Sequence, residues 1–470
     1  MALTKATYSM IVGSPANVLD FGADPTGTTE CSAEIQAALD SGAISVYLPE
    51  GTYDVDTQLV ISSCVHFYGP GTINETVLLE ATILVDSVDG VRIEGITFTG
   101  PETLAAWNAG GAVYRQAFKA FIKFDSCKNG VVRDVISSGK RGVVWLNDCE
   151  KMQIDGNRHN GFLGSIASPV SDANWYSCYN VQGGRENHLT NNEGFSCGSV
   201  VLLADESSFN VVSNTTGRES QDNFVYNSSG NYSSFIGGTF ENGLGSGLKV
   251  RGSGHTVSGF TIKNCGTGSA SISLTGNGVT PDAFGANGFG TVCYGNTITN
   301  SAGHAISIGA QDGLHPRDFI VANNTIENHT GTAGFAAVIV TAERGIKVVD
   351  NIVQGSTATY AFGIFGVGPL NRAVAYDIRG NSISSAAQAI RLTNVDESLI
   401  SSNLTADISG GNAIEARLCD KNMVTNNVVP ATKALRFSSS VGEETYLNVI
   451  TVNKATVSAS AIDNTVANNY

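Results

Sequence analysis

Charge is scarce in this sequence: Asp, Glu, Lys and Arg together supply only 15% of its 470 residues, a level that argues against long solvated helices. No stretch approaches the ~20 consecutive apolar residues of a membrane span, and the opening MALTKATYSM lacks the apolar run of a signal peptide. Action outside a cell would then require a route other than signal-directed secretion. Basic residues are outnumbered, 27 against 42 acidic, for a formal net charge of −15. That balance leaves little to neutralise phosphates and sets nucleic acid aside as a partner. It also weighs against a strongly anionic polymer, except where one groove differs in sign from the whole. Nine cysteines, an odd number, form no CxxC pair and no metal-ligand spacing. They read as reduced, buried small residues of a chain folded in a reducing cytosol. The seven His form no metal triad, and neither a phosphate loop nor a nucleophile elbow is present, so no metal or cofactor is expected.

What the sequence has is glycine, 54 residues of it, and one phrase that keeps returning. A branched apolar residue is followed by Asn or Gly beside a second turn residue, then by a β-branched pair. It reads IEGITFTG at Ile93, VVSNTTG at Val211, CYGNTITN at Cys293, VANNTIEN at Val321 and VTNNVV at Val424. The spacing, roughly 21 to 30 residues where nothing is inserted, is that of a solenoid. A unit of three short strands cannot bury its own apolar side chains. Stacking such units about 4.8 Å apart pairs every strand and aligns Val, Ile, Leu and Phe inside. Asn at equivalent corners can ladder its amides from coil to coil and tolerate left-handed backbone, and Gly tolerates that backbone without a side chain. The expected fold is all-β, a right-handed parallel β-helix with a short N-terminal capping helix.

The expected organisation is a polar lead-in over 1–27, a capping helix over 28–42, a β-helix over 43–440, and a C-terminal strand or cap over 441–470 that is a candidate for trimerisation. The helix places Ile35, Ala38 and Leu39 at helical spacing behind Thr and Ser caps and stops at Gly42. Laid over the open first coil it would cover that coil's edge strands. Insertions near 101–121, 163–186 and 267–290 break the period, and loops of that length in a regular solenoid are functional or make subunit contacts.

The opening YSMIVGSPANVLDFGADPTGTTECSAEIQAALDSG, with ISVYLPEGTYDV after it, resembles the start of the β-helix in bacteriophage tailspikes and capsule depolymerases, within the pectin-lyase-like superfamily that includes polygalacturonases. It covers about the first 55 residues, and the coil pattern extends it through most of the chain. The resemblance implies a cofactor-free homotrimeric rod on a virion tail, made in the bacterial cytoplasm and attached to other tail proteins. It implies binding of a bacterial surface polysaccharide, capsule or O-antigen, and its cleavage with paired carboxylates, without membrane insertion. The chain departs from longer members in showing neither a large domain after the β-helix nor an obvious virion anchor before it, so it is expected to attach through another protein.

Glycosidic cleavage needs one carboxyl to protonate the leaving oxygen and another as base or nucleophile, roughly 5 to 9.5 Å apart according to stereochemistry. Equivalent positions one and two coils apart, about 4.8 and 9.6 Å, meet either requirement. The richest stretch is GRESQDNFVYNSSGNYSSFIGGTFENGLGSGLKVRG from Gly217. Aligning coils on Asn192, Asn214 and Gly238 puts Val201, Phe224 and Leu248 in one inward column and Leu203, Tyr226 and Val250 in the next. Asp222 then stands just before its strand, and DNFVY resembles the setting of an active-site Asp in tailspikes and polygalacturonases. Glu219 shares that turn, Glu241 lies one coil on, and Glu193 occupies a turn one coil below. The nearest match to the second carboxylate of some tailspikes is Ser196, which leaves the partner of Asp222 open among these. Each acid also reads as an ordinary solvated turn residue. Arg218, Lys249 and Arg251 fall in the same sequence patch and can orient a carboxylate.

Sugar rings pack on flat apolar surfaces ringed by polar groups. In GVVWLND the alternation turns Val144 and Leu146 inward and Trp145 outward, where a ligand or a loop must cover it. Trp175 and Tyr176 in the second insertion, with Asn223 and Tyr232, extend the expected binding surface, whereas Tyr226 reads as core. The preferred reading is an endo-acting glycoside hydrolase. The alternatives are a polysaccharide lyase, with Lys249, Arg251 or a Tyr as base, and an adhesin that binds glycan without cutting.

Overall fold

A computed structural model of the chain describes residues 13–164, 167, 173, 176–267, 269–276, 289–309, 316–331, 335–342, 344–357, 360–365, 373–430, 432–438, 449–453, 456–459 and 465–469. The chain divides into two compact units, Met1–Gly230 and Asn231–Tyr470. Each is a right-handed parallel β-helix built from coils of three short strands.

In the first unit one coil runs through Ala120–Asp125, Val131–Arg133 and Ile136–Ser138, and the next begins at Val144–Asn147. Val131–Arg133 stacks between Arg92–Glu94 and Gln153–Asp155, forming ladder one. Ile136–Ser138 stacks between Thr97–Thr99 and Arg158–Asn160, forming ladder two. Ala120–Asp125 stacks between Ala81–Asp86 and Val144–Asn147, forming ladder three. The two-residue alternation of each strand sends one side chain in and the next out. Ile83, Ile122, Val144, Tyr179, Val201 and Val225 therefore form one continuous inward stack on ladder three.

The N-terminal helix runs over Ser32–Leu39 and buries Ile35, Ala38 and Leu39. Its start differs from the Thr/Ser capping read in the sequence. Cys31 is the N-cap and makes no side-chain cap bond, while the Glu30 carboxylate accepts from the Ser32 N–H at 2.6 Å. The Ser32 hydroxyl oxygen is taken by the N–H groups of Asp56 and Thr57. From the outer side of the helix, Gln36 bonds both ways with the backbone of Val60, in the first strand of ladder three: its Nε2 donates to the carbonyl at 2.9 Å and its Oε1 accepts from the N–H at 2.8 Å. One amide side chain thus satisfies a donor and an acceptor on a strand edge.

The corners assign to two residues the two jobs that the sequence pattern gave to one. The left-handed residue comes first, as at Asn191, Asn323 and Asn426 with φ of 54°, 54° and 57°. The residue after it, Asn192, Asn324 or Asn427, is buried and carries the ladder. In the second unit Asn296, Asn324, Asn351, Asn381, Asn403 and Asn427 form an unbroken series, each Nδ2 donating to the next Oδ1 at 2.9 to 3.0 Å. The backbone N–H of each of the first five donates to the same acceptor. In the first unit Asn157 and Asn192 repeat the arrangement at 3.0 Å.

The second unit stacks its three ladders in the same way and continues them beyond Phe437, where the sequence pattern fades. Val449–Asn453 pairs with Met423–Thr425, Thr456–Ala459 with Ala434–Ser438, and Thr465–Asn469 with Val449–Asn453. All nine cysteines are free thiols, eight of them buried.

Replacing Asn351 by Ala strips the N–H and amide of Asn324 of their acceptor and Asn381 Oδ1 of a donor. At about 1–3 kcal/mol per orphaned buried group, the loss of stability is expected to reach about 3 kcal/mol. Asn426→Gly, at an exposed left-handed corner, is expected to change stability by no more than about 0.5 kcal/mol. Denaturant midpoints of the two variants check the division of labour between adjacent asparagines.

Candidate functional site

The outward column of ladder three in the first unit reads Leu84, Lys123, Trp145, Asn180, Leu202 and Tyr226. Trp145 does point outward, and it is partly covered. Phe118, at the end of the first insertion, lies 5.8 Å from its ring, and Lys123 Nζ sits 4.2 Å above it. Its indole N–H donates to Gln182 Oε1 at 2.7 Å, on the coil above. Tyr226 belongs to this outer column and is half-exposed, which corrects its assignment to the core. The reason is an extra residue in the turn: Arg218 lies in register with Phe195, but the next strand resumes with Val225 over Val201, seven residues on, against six on the coil below. The added residue puts Val225, not Phe224, in register with Val201.

The first insertion lies between ladder two and ladder three, and its last residues, Phe118 and Lys119, flank the outer column at Trp145. It folds into two short helices, Leu104–Ala109 and Ala112–Gln116. Trp107, in the first of them, is fully buried, within ring contact of Phe162 and Tyr176 and 4.9 Å from the Arg141 guanidinium. Arg141, also buried, forms an ion pair with Glu102 through Nε and Nη2, and its Nη1 donates to the carbonyls of Tyr114, Arg115 and Ala117. Tyr114 donates to the same Glu102 carboxylate at 2.9 Å, and burial first, then that charge, pushes its phenol up to about 12. Lys140, next in the chain, pairs with Glu75 at 2.6 Å, both fully enclosed; burial pulls the amine down to about 8 against the opposing pull of Glu75. Sequence reasoning missed these pairs. Their signal was a Lys–Arg dipeptide directly ahead of the apolar strand GVVWL in a chain with little charge.

Tyr176 belongs to this interior and not to a binding platform. It is wholly buried, donates to the Lys140 carbonyl at 3.3 Å and shares a 2.8 Å hydrogen bond with His159 Nε2. His159 points inward on ladder two, with Nδ1 2.9 Å from Ser137 Oγ, and burial pushes it down to about 3. Trp175 lies outside the described residues.

Several coils farther along, Asp222 occupies the ladder-two-to-ladder-three turn, and Glu219 is the penultimate residue of the strand Val211–Ser220 that leads into it. Glu219 is half-buried and left-handed at φ 56°. Asp222 is half-buried, its N–H donating to the Gly198 carbonyl at 3.1 Å and its own carbonyl accepting from Ser220 Oγ at 3.2 Å. Beneath them Gly217 takes an inward position on ladder two, where a Cβ would overlap the Phe224 ring. Phe224 fills that space completely buried and pins the turn from inside. Asn223 is also buried, 7% exposed, which removes it from the open surface where it was expected to meet substrate. Arg218 is exposed on ladder two, in register with Phe195.

Glu193 does not share the turn. It lies on the strand Glu193–Phe195, in register with Thr216, and pairs with Arg158 Nε at 3.6 Å on the neighbouring coil. Glu241, Lys249, Arg251 and Tyr232 belong to the second unit. There Glu241 pairs with Lys263 at 3.1 Å, Lys249 faces outward in register with Ser273, Arg251 aligns with Thr275, and Tyr232 is left-handed and 38% exposed. His304 opens a strand, where its Nδ1 accepts from the Ala336 N–H at 3.0 Å. Among the described residues no group of three His, Cys, Asp or Glu is placed to hold a metal ion.

The His159 site has a pH signature. Its folded value lies near 3 and its unfolded value near 6.5, so between those limits the unfolded chain binds the extra proton. The contribution is fully present above about pH 6.5 and declines on acidification, at up to about 1.4 kcal/mol per pH unit. Urea unfolding from pH 7 to 4 should show a shallower pH slope in His159→Gln than in wild type, by up to one proton.

Against known proteins, a family model described as rhamnogalacturonase A/epimerase, pectate lyase-like, matches residues 16–287. No curated protein sequence matches the chain. Among solved structures it is similar to pre-mature bacteriophage phi29 gene product 12, with TM-score 0.61 and 11% identity over 96% of this chain and 73% of that one. It is similar to the tailspike protein of the E. coli bacteriophage HK620, with TM-score 0.58 and 13% identity over 90% of this chain and 81% of that one. The Streptococcus pneumoniae surface protein and adhesin PfbA gives TM-score 0.55 and 12% identity over 88% of this chain and all of that one. At those identities the structural likeness establishes the fold, whereas the sequence match extends over more than half the chain and carries the parallel β-helix with it: the chain belongs to the rhamnogalacturonase A/epimerase, pectate lyase-like family.

Proposed function

We propose that this protein binds an extended bacterial surface polysaccharide on the outer face of ladder three in the first unit and hydrolyses it as an endo-acting glycosidase of a phage tailspike. The observation that carries the reading is the outward column of Lys123, Trp145, Asn180, Leu202 and Tyr226, in which Lys123, Trp145 and Tyr226 reach the surface and the end of the first insertion flanks Trp145. Aromatic and polar side chains spread along rungs about 4.8 Å apart cover a length suited to a polymer rather than to one sugar. Asp222, in the turn on that same edge, and Glu219, near the end of the strand leading into it, supply the two carboxyls that glycoside cleavage requires. One protonates the leaving oxygen and the other activates water or attacks the anomeric carbon. The family assignment and the fold shared with the HK620 tailspike support this reading.

A second reading, an adhesin that does not cut, is favoured by one observation. Glu193 and Glu241, two of the four candidate acids, are engaged by cations on adjoining coils, which leaves fewer carboxyls for chemistry.

Incubation with capsular and O-polysaccharides from a bacterial panel separates the readings. Shortening of one polymer, with water added at the new ends, is expected for wild type. Asp222→Asn is expected to slow it by at least about a hundredfold while binding persists. Unsaturated, ultraviolet-absorbing ends would point to a lyase, and saturable binding at unchanged polymer length to the adhesin. In the same proposal the chain works as a homotrimer, and light scattering on the full chain is expected to give three times the chain mass; a monomer mass removes that part.

A further inference from the structure

The recess in front of Trp145 contains polar atoms that the protein leaves unused. Asn180, one coil above Trp145 in the outward column, is only 4% exposed, yet neither its Oδ1 nor its Nδ2 has a hydrogen-bond partner among the described residues. Ser177, three residues before it at the start of the same strand, is equally enclosed, with its hydroxyl also unpartnered. Both line a small recess together with Phe118, Lys119, Arg141 and Trp145. Apart from the half-buried Lys119, the neighbouring polar groups are committed elsewhere. The Trp145 N–H is given to Gln182, the Arg141 guanidinium to Glu102 and three carbonyls, and Lys123 to Glu80. An amide enclosed without partners costs about 1–3 kcal/mol for each unsatisfied group, so a stable solenoid carrying two such side chains side by side leaves them for something that arrives.

The geometry limits what arrives. The enclosed part of the recess is about 10 Å³, close to the space of one water-sized group and far too small for a sugar ring. A ring must therefore stay on the open side, against the Trp145 face, and send only its edge inward. Asn180 offers a donor and an acceptor side by side. A carboxylate would satisfy Nδ2 and set its charge against the Oδ1 lone pairs. Two adjacent hydroxyls on a ring satisfy both atoms at once, one accepting from Nδ2 and the other donating to Oδ1, and the Ser177 hydroxyl can take up a remaining hydrogen-bonding site. We infer that Trp145, Asn180 and Ser177 form a subsite for a neutral sugar residue, held by its apolar face on Trp145 and by a vicinal diol on Asn180. The subsite rests on the carbohydrate reading above but uses neither Asp222 nor Glu219.

Saturation-transfer NMR on the full chain tests it without requiring turnover. The probes are methyl glycosides of glucose, galactose and mannose, their 3-deoxy and 4-deoxy counterparts, and methyl glucuronide. At least one neutral glycoside is expected to bind, and its affinity should fall at least tenfold in both Asn180→Leu and Trp145→Ala. Removal of either hydroxyl of the diol should weaken it comparably. Asn180→Leu, which replaces an unsatisfied amide by an apolar group of similar size, should melt no lower than wild type, so that lost binding is not lost folding. Binding of the glucuronide in preference to every neutral glycoside, unchanged affinity in Asn180→Leu, or no neutral glycoside bound would each overturn the inference, the last meaning that the recess holds water only. A protein that binds the diol through Asn180 but cuts no polymer would sink the hydrolase and leave the subsite standing.

Discussion

The position of every outward side chain depends on coil-to-coil register, and buried asparagine amides help to fix it. A parallel ladder alone does not specify register strongly, because a slip by two residues keeps apolar side chains inside and polar ones outside. A laddered asparagine removes that freedom, since its amide must meet another amide one coil away or stay unsatisfied in the interior. In the second unit six such residues stand in line, and in the first unit Asn157 and Asn192 perform the same task beside the coils that carry Trp145 and Asn180. Outward columns, and with them any surface that reads a repeating ligand, inherit their alignment from these bonds.

Much of this was visible in the sequence because the solenoid repeats its physical problem at every coil. The alternation in GVVWLND placed Trp145 outward correctly, and the capping helix was legible from Ile35, Ala38 and Leu39. What failed was local. The turn from Arg218 to Val225 is one residue longer than its counterpart on the coil below, which a regular spacing does not reveal, so the next strand was aligned one residue short and Tyr226 was turned inward. Tyr176 looked like a surface aromatic because it sits in an insertion, yet it fills the space under another insertion and donates to the Lys140 carbonyl. Asn180 and Ser177 escaped notice for the opposite reason. An Asn within the strand SCYNVQ reads as an ordinary outward residue, and its lack of partners appears only when the neighbours' hydrogen bonds have been assigned.

The buried ion pairs under the first insertion pose a different kind of question. Glu75 with Lys140, and Glu102 with Arg141, place four charges inside a structure that is otherwise sparing with charge. Pairs of this kind contribute little net stability relative to apolar packing, but losing one partner is expensive. Their effect is to define a geometry. Arg141 holds the end of the second inserted helix by three of its carbonyls while lining the recess before Trp145, so the insertion and the recess are fastened to the same guanidinium. Phe224, seated over Gly217, gives the turn of Asp222 a comparable anchor.

The bond from Gln36 to Val60 has a consequence for how such a molecule behaves in a crowd. A stack of parallel strands grows by adding another strand to its last one, and the first strand of ladder three offers a template of that kind. The Gln36 amide occupies the N–H and carbonyl of Val60 as an incoming peptide would. It is a dead-end mimic of the next rung, contributed by the chain itself, and it terminates ladder three at that end against the fibre growth that stacked strands otherwise invite.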